Sequence, residues 1–215
     1  MKRRDFSSTL VATAVAGAYF LPSAAGAQGA APVEGKDYTK VDPPQPAGAP
    51  GKVEVLEFFS YACPHCNAFE PTLQAWVRQL PADVSFRRVP VSFLMNAENL
   101  QRTYYALETI GAVDAMQTKI FSAIHTDHQR LDKPEDIAAV VAKNGGDAAK
   151  FLAAFKSFSV ATSVSRARKM TADYKIDGVP SLAIQGRFVT SPSQANGAPQ
   201  ALAVADQLIQ RSRAK

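Results

Sequence analysis

Cysteine is scarce in this sequence: its 215 residues contain two, Cys63 and Cys66. With only two residues between them they cannot staple a long loop, so a disulfide scaffold is excluded, and the chain must fold on a hydrophobic core for which its length suffices. No charge sign dominates either. The formal net charge of +5 falls to +3 when the first 27 residues are set aside, 21 basic against 18 acidic. Lys and Arg form no stripe interleaved with stacking aromatics, and a nucleic-acid partner is excluded on that ground. There is no long hydrophobic run: the apolar stretch Leu10 to Leu21 is 12 residues diluted with Ala, Thr and Gly, against the roughly 20 that a membrane-spanning helix needs. Compositional bias is missing as well. With 47% hydrophobic residues, 12 Gly and 14 Pro, collagen-like, low-complexity and wholly disordered classes drop out.

What is present has an order. Lys2, Arg3 and Arg4, the short apolar run, and Ala25-Gly26-Ala27 before Gln28 form the pattern of a cleaved export signal over residues 1–27. These residues do not fix the route, general secretory or twin-arginine. Residues 28–51 are rich in Pro, Ala and Gly and read as a lead-in tail that holds neither a continuous helix nor a central strand. Val53 to Ser60 is short, apolar and β-prone, as a strand buried on both faces should be. Phe69, Leu73, Trp76 and Leu80 then repeat at helical spacing before Pro81, and Val84 to Val91 reads as a second strand, giving a right-handed parallel crossover. From Asn96 to about Tyr174 the β-signal disappears and five helices follow, one opened by a capping box at Asp132 and Glu135 and one capped by Asp147. After Pro180 come a hairpin, Ser181 to Ile184 and Phe188 to Thr190 around Gln185-Gly186-Arg187, and a last helix near Gln200 to Arg211. The expected class is α/β, with a helical insertion at 96–168 interrupting a sheet domain made of 52–95 and 169–215.

Cys63-Pro64-His65-Cys66 falls where the first strand ends and the helix begins. The same spacing serves zinc and haem. A tetrahedral zinc site wants four ligands, yet the remaining histidines, His125 and His128, come with no second cysteine pair. Covalent haem attachment wants His directly after the second Cys, where Asn67 stands. Redox chemistry fits better. A helix N-terminus places free N–H groups and partial positive charge beside the Cys63 sulfur, and His65 adds a nearby group that donates hydrogen bonds or carries charge. A stabilised thiolate favours the dithiol and makes the disulfide an oxidant. On this reading Cys63 is accessible with a lowered pKa, and Cys66, one turn in, is the shielded resolving thiol. Glu57 alternates with Val53, Val55 and Phe59, so it is expected as a buried carboxylate with a raised pKa, able to take the Cys66 proton through water.

Glu57-Phe58-Phe59-Ser60-Tyr61-Ala62-Cys63-Pro64-His65-Cys66, followed by Phe69-Glu70 and, far downstream, Gly178-Val179-Pro180, resembles the DsbA family of periplasmic thiol:disulfide interchange proteins, from about Lys36 to the end. The resemblance implies a thioredoxin fold with an inserted all-helical domain. It implies a monomer that oxidises unfolded exported proteins bearing free cysteines and is reoxidised by a DsbB-like, quinone-linked oxidase of the inner membrane. No cofactor or metal is implied beyond the Cys63-Cys66 disulfide, and the compartment is the periplasm after cleavage near Ala27-Gln28. Catalytic roles fall on Cys63, Pro64, His65, Cys66 and Glu57. In thioredoxin-like proteins the proline matching Pro180 is cis and exposes the backbone before it, so Val179 and Pro180 are assigned to substrate binding. The family pairs its acid at Glu57 with a lysine. The matching position here is Arg88, which cannot relay a proton and so leaves only an electrostatic role. Rival readings are a reductant or isomerase of the same fold and a non-catalytic periplasmic chaperone. An isomerase is disfavoured because only 24 residues separate Ala27 from Lys52, too few for a dimerisation domain.

Overall fold

Val53–Phe59 is apolar, aromatic or β-branched at all but its two glutamates, and it forms the central strand β2 with every residue buried. Around it the computed structural model describes residues 31–48 and 50–213, so the expected export signal and its cleavage point lie outside the described residues. In chain order the other elements are β1 (Thr39–Lys40) before β2, then α1 (Pro64–Val77), β3 (Val84–Pro90), α2 (Ala97–Thr109), α3 (Val113–His125), α4 (Pro134–Lys143), α5 (Ala148–Phe155), α6 (Phe158–Asp173), β4 (Ser181–Ile184), β5 (Phe188–Thr190) and α7 (Ala198–Arg213). The strands make one mixed sheet in the order β1-β5-β4-β2-β3. β2 and β3 are parallel, with Glu57 opposite Arg88, while β4 runs antiparallel to β2, with Phe58 opposite Ser181.

A strand buried on both faces needs cover on both. Val53 and Val55 pack with Leu73 of α1 and Leu202 and Leu208 of α7. Leu56 and Phe58 pack with Leu107, Ile120, Phe121 and Val164 of the helices between β3 and β4. Each fully buried leucine or phenylalanine contributes about 1.5–3 kcal/mol from apolar surface removed from water.

Four local expectations change. The stretch read as a lead-in tail supplies β1, which pairs with β5 at the sheet edge. Tyr38 and Val41, flanking β1, are buried. Two residues at an edge satisfy the limits that the neighbouring prolines impose on a strand. Helix α4 starts not with a capping box but at Lys133, with no side-chain cap, because Pro134 supplies the preset first turn and Glu135 and Asp136 complement its dipole. Asp132 instead accepts a hydrogen bond from Arg130. Leu80 lies past the end of α1 and packs against the α1/α7 cluster from the following turn. Helix α6 continues to Asp173, so the boundary expected at 168 falls inside it. The hairpin turns as its sequence indicates: Gln185 and Gly186 both have positive φ, 51° and 64°, the mirror-image turn that matches strand twist. A Cβ at Gly186 would run into the Gln45 carbonyl oxygen.

Candidate active site

Ser60–Ala62 turn the chain out of β2 and deliver Cys63 to the N-cap of α1, with extended backbone at φ −87° and ψ 116°. The cap acceptor, ordinarily an oxygen, is here the Cys63 sulfur, which takes the Cys66 N–H at 3.3 Å. Pro64, exposed, fills the first helical position, where a missing N–H costs nothing. His65 is exposed beside it. Cys63 Sγ also lies 3.4 Å from the Val179 carbonyl oxygen, which accepts from the thiol, and the Val179–Pro180 peptide bond is cis.

Both cysteines are free thiols, and their environments pull their pKa values apart. Cys63 is lowered to about 6, chiefly by a hydrogen bond from the Cys66 thiol; burial opposes this, and the backbone N–H groups of Cys66 and His65 and the charge of His65 add to it. Cys66 is pushed far up, first by burial and then by the hydrogen bond it gives to Cys63. The helix N-terminus and His65 named from sequence therefore act, but the largest contribution comes from the partner thiol. One expectation is corrected: Cys63 is only 5% exposed, against 0% for Cys66, because its sulfur is turned inward between the Cys66 N–H and Val179.

Beneath the cysteines lies a buried ionic group. Arg88 Nε reaches Glu57 Oε2 at 2.8 Å and its terminal nitrogen reaches Glu70 Oε1 at 2.8 Å, while the guanidinium lies 5.1 Å from the Phe86 ring centroid. Glu57 and Glu70 are essentially inaccessible to solvent, and Glu57 Oε1 and Glu70 Oε2 find no partner. Two carboxylates thus share one cation. Burial raises the Glu57 pKa to about 8, Arg88 opposes the rise and the charge of Glu70 adds to it. A proton held on Glu57 relieves the excess charge. Glu70 was not singled out from sequence, although Cys66, Phe69, Glu70 and Leu73 follow the spacing of one inward helical face and all four are buried.

A groove of about 410 Å³ opens beside the cysteines, lined by His65, Ala68, Phe69, Val179, Pro180, Pro192, Ser193 and Ala198. A larger cleft, about 670 Å³, lies along β3 among Lys52, Phe86, Tyr104 and Glu108 and includes neither cysteine. The smaller groove is the one that joins Val179 and Pro180 to the redox turn. Among the described residues no set of three His, Cys, Asp or Glu side chains gathers as metal ligands.

Comparison with known proteins agrees with this geometry. The family model for the DSBA-like thioredoxin domain matches residues 54–208. The thiol:disulfide interchange protein DsbA of Bordetella parapertussis is 42% identical over 214 residues, covering 99% of this chain and 100% of that protein. The crystal structure of Pseudomonas aeruginosa DsbA superposes with a TM-score of 0.81 at 38% identity, covering 85% of this chain and 95% of the other. The oxidoreductase DsbA from Xylella fastidiosa superposes with a TM-score of 0.80 at 31% identity, covering 86% and 99%. With a thioredoxin-like sheet, an inserted helical block and a Cys-Pro-His-Cys turn at the head of α1, the chain belongs to the DsbA-like thioredoxin family and is a thiol:disulfide oxidoreductase.

Proposed function

We propose that the protein is a periplasmic oxidase of dithiols, with Cys63 the sulfur that exchanges with substrate and Cys66 the resolving thiol. The observation that carries this reading is the Cys63 sulfur at the head of α1, accepting the Cys66 N–H at 3.3 Å, with its thiol held near 6 while that of Cys66 is driven up. The stabilisation of the Cys63 thiolate exists only in the dithiol form. It therefore favours reduction of the Cys63–Cys66 disulfide and lets that disulfide pass its oxidation to another protein.

A substrate thiolate attacks Cys63 Sγ of the disulfide, the Cys63–Cys66 bond breaks, and Cys66 departs and takes up a proton. A second thiolate of the same substrate attacks the substrate sulfur of the mixed disulfide and Cys63 leaves as a stable thiolate. The substrate loses two electrons and its two thiol protons, and the Cys63/Cys66 pair gains the electrons. A DsbB-like, quinone-linked membrane oxidase removes them again.

Glu57, with one oxygen held by Arg88 and the other unpaired, is the group that would exchange the Cys66 proton; Arg88 holds charge and relays no proton. Val179 and Pro180 border the apolar groove in which an extended substrate segment would pair. Pro64 shapes the turn and His65 supplies charge at its rim. Substrates are unfolded exported chains with free cysteines, met by a monomer after cleavage near Ala27-Gln28. Equilibration with glutathione tests the direction of transfer: the dithiol should persist under a large excess of oxidised glutathione. A Cys63–Cys66 disulfide that forms in mostly reduced glutathione would make the protein a reductant.

A further inference from the structure

The turn that presents Cys63 is held from outside the sheet by α3. Tyr61, two residues before the nucleophile, is fully buried and its hydroxyl donates to Gln117 Oε1 at 2.6 Å. Its ring lies edge-on to Phe59 and Phe121, with centroids 5.1 Å away in each case. Its backbone carbonyl oxygen lies 2.8 Å from His125 Nε2. A carbonyl only accepts, so Nε2 carries a hydrogen, and the neutral ring is the Nε2–H tautomer. The other end of the same peptide group is also held: Ala62 N–H donates to Ser60 Oγ at 3.2 Å. Ser60 in turn accepts the Cys63 N–H on its carbonyl at 3.1 Å. The 61–62 peptide plane is thus clamped at both edges, and the clamp on the carbonyl comes from the helical insertion.

We propose that His125 is a positioning residue for thiol–disulfide exchange, its Nε2–H fixing the Tyr61–Ala62 peptide and so the direction in which Cys63 meets the head of α1, with Gln117 holding the Tyr61 ring in place. On this view the insertion is a second wall of the redox site as well as a cover for the sheet. Without the His125 bond the Tyr61 carbonyl is left buried and unpaired, and the peptide turns to find another donor. The Cys63 sulfur then loses alignment with the N–H groups that stabilise its thiolate. The inference rests on Cys63 as the low-pKa nucleophile, and the test separates the two.

Thiolate absorbance is titrated in the parent, in His125→Leu, which keeps bulk and loses the donor, and in His125→Gln, which keeps an N–H donor. Denaturant unfolding is followed in parallel. The leucine variant should raise the Cys63 midpoint by about half a unit, a roughly threefold change in ionisation constant, and the glutamine variant should restore it. If parent and leucine variant share one low midpoint and differ only in unfolding, the positioning role is overturned and the oxidase reading stands. A parent midpoint in the ordinary cysteine range overturns both. Should the leucine variant fail to fold, nitrogen-15 imidazole shifts in the parent dithiol protein decide: the Nε2–H form supports the bond, and the Nδ1–H form overturns it.

Discussion

The two hydrophobic clusters flanking β2 are built to different rules. The cluster under α1 and α7 gathers Val55, Leu73, Leu182, Ile184, Leu202 and Leu208. The cluster under the helical insertion contains Tyr61, Tyr104, Cys63 and Cys66 among its apolar members. Among the described residues, the four buried side-chain atoms without a partner, on Glu57, Glu70, Gln101 and Gln117, belong to residues that touch the C-terminal halves of β2 and β3 or the turn beyond β2. Glu57 and Glu70 meet there on Arg88, Gln101 donates to the Pro90 carbonyl, and Gln117 accepts from Tyr61. Native interiors keep such orphans few. Their concentration at the cysteine end of the sheet, where Glu70 of α1 and Glu57 of β2 meet on Arg88, separates the part of the core that stabilises the fold from the part that sets protonation states.

That division is open to direct attack. The largest effect belongs to Cys63→Ala, which should abolish dithiol oxidation and form no mixed disulfides, whereas Cys66→Ala should accumulate them through Cys63; non-reducing gels of exported extracts read both outcomes. Arg88→Met leaves the buried Glu57/Glu70 pair without its cation and should cost about 3–5 kcal/mol in denaturant unfolding at neutral pH. Leu73→Ala, in the apolar cluster, should cost about 2–5 kcal/mol and leave the Cys63 titration where it was. A shifted Cys63 midpoint in that variant would dissolve the distinction between the clusters.

The pH dependence sharpens the comparison further. The Glu57 pKa in the folded protein, about 8, lies above the unfolded value of about 4.3, so the folded state binds that proton more tightly. Its contribution is fully present below about pH 4.3 and is lost as pH rises through 8, on the order of a few kcal/mol. Glu57→Gln should flatten that part of the stability profile. His65→Ala should raise the Cys63 midpoint by less than about one unit, because the charge of His65 adds little beside the hydrogen bonds that lower it.

Sequence reading reached the elements whose signals are local. Val53–Phe59 announces a buried strand by composition, Val113–His125 a helix by period, and Gln185-Gly186 a hairpin by its need for positive φ. It reached the Cys63–Cys66 turn because chemistry and position coincide within four residues. It missed what depends on partners far away in sequence. The Arg88 contact with Glu70, the seat of β1 on β5, and the grip of Gln117 and His125 on Tyr61 are each invisible until the sheet and the insertion meet. It overstated the openness of Cys63 because a helix N-terminus reads as exposed, while the carbonyl that draws the sulfur inward belongs to Val179.

The separation of Cys63 from Val179, 116 positions along the chain, has a consequence for biogenesis. A chain made from its N-terminus presents β2, the redox turn and β3 first, then all five inserted helices, and only afterwards β4, the antiparallel neighbour that β2 requires. Pairings this distant pay their loop-closure entropy before any contact repays it, and they form late. During that interval both cysteines lack the Val179 carbonyl and the groove beside it. The redox turn is therefore made well before the carbonyl that draws the Cys63 sulfur inward.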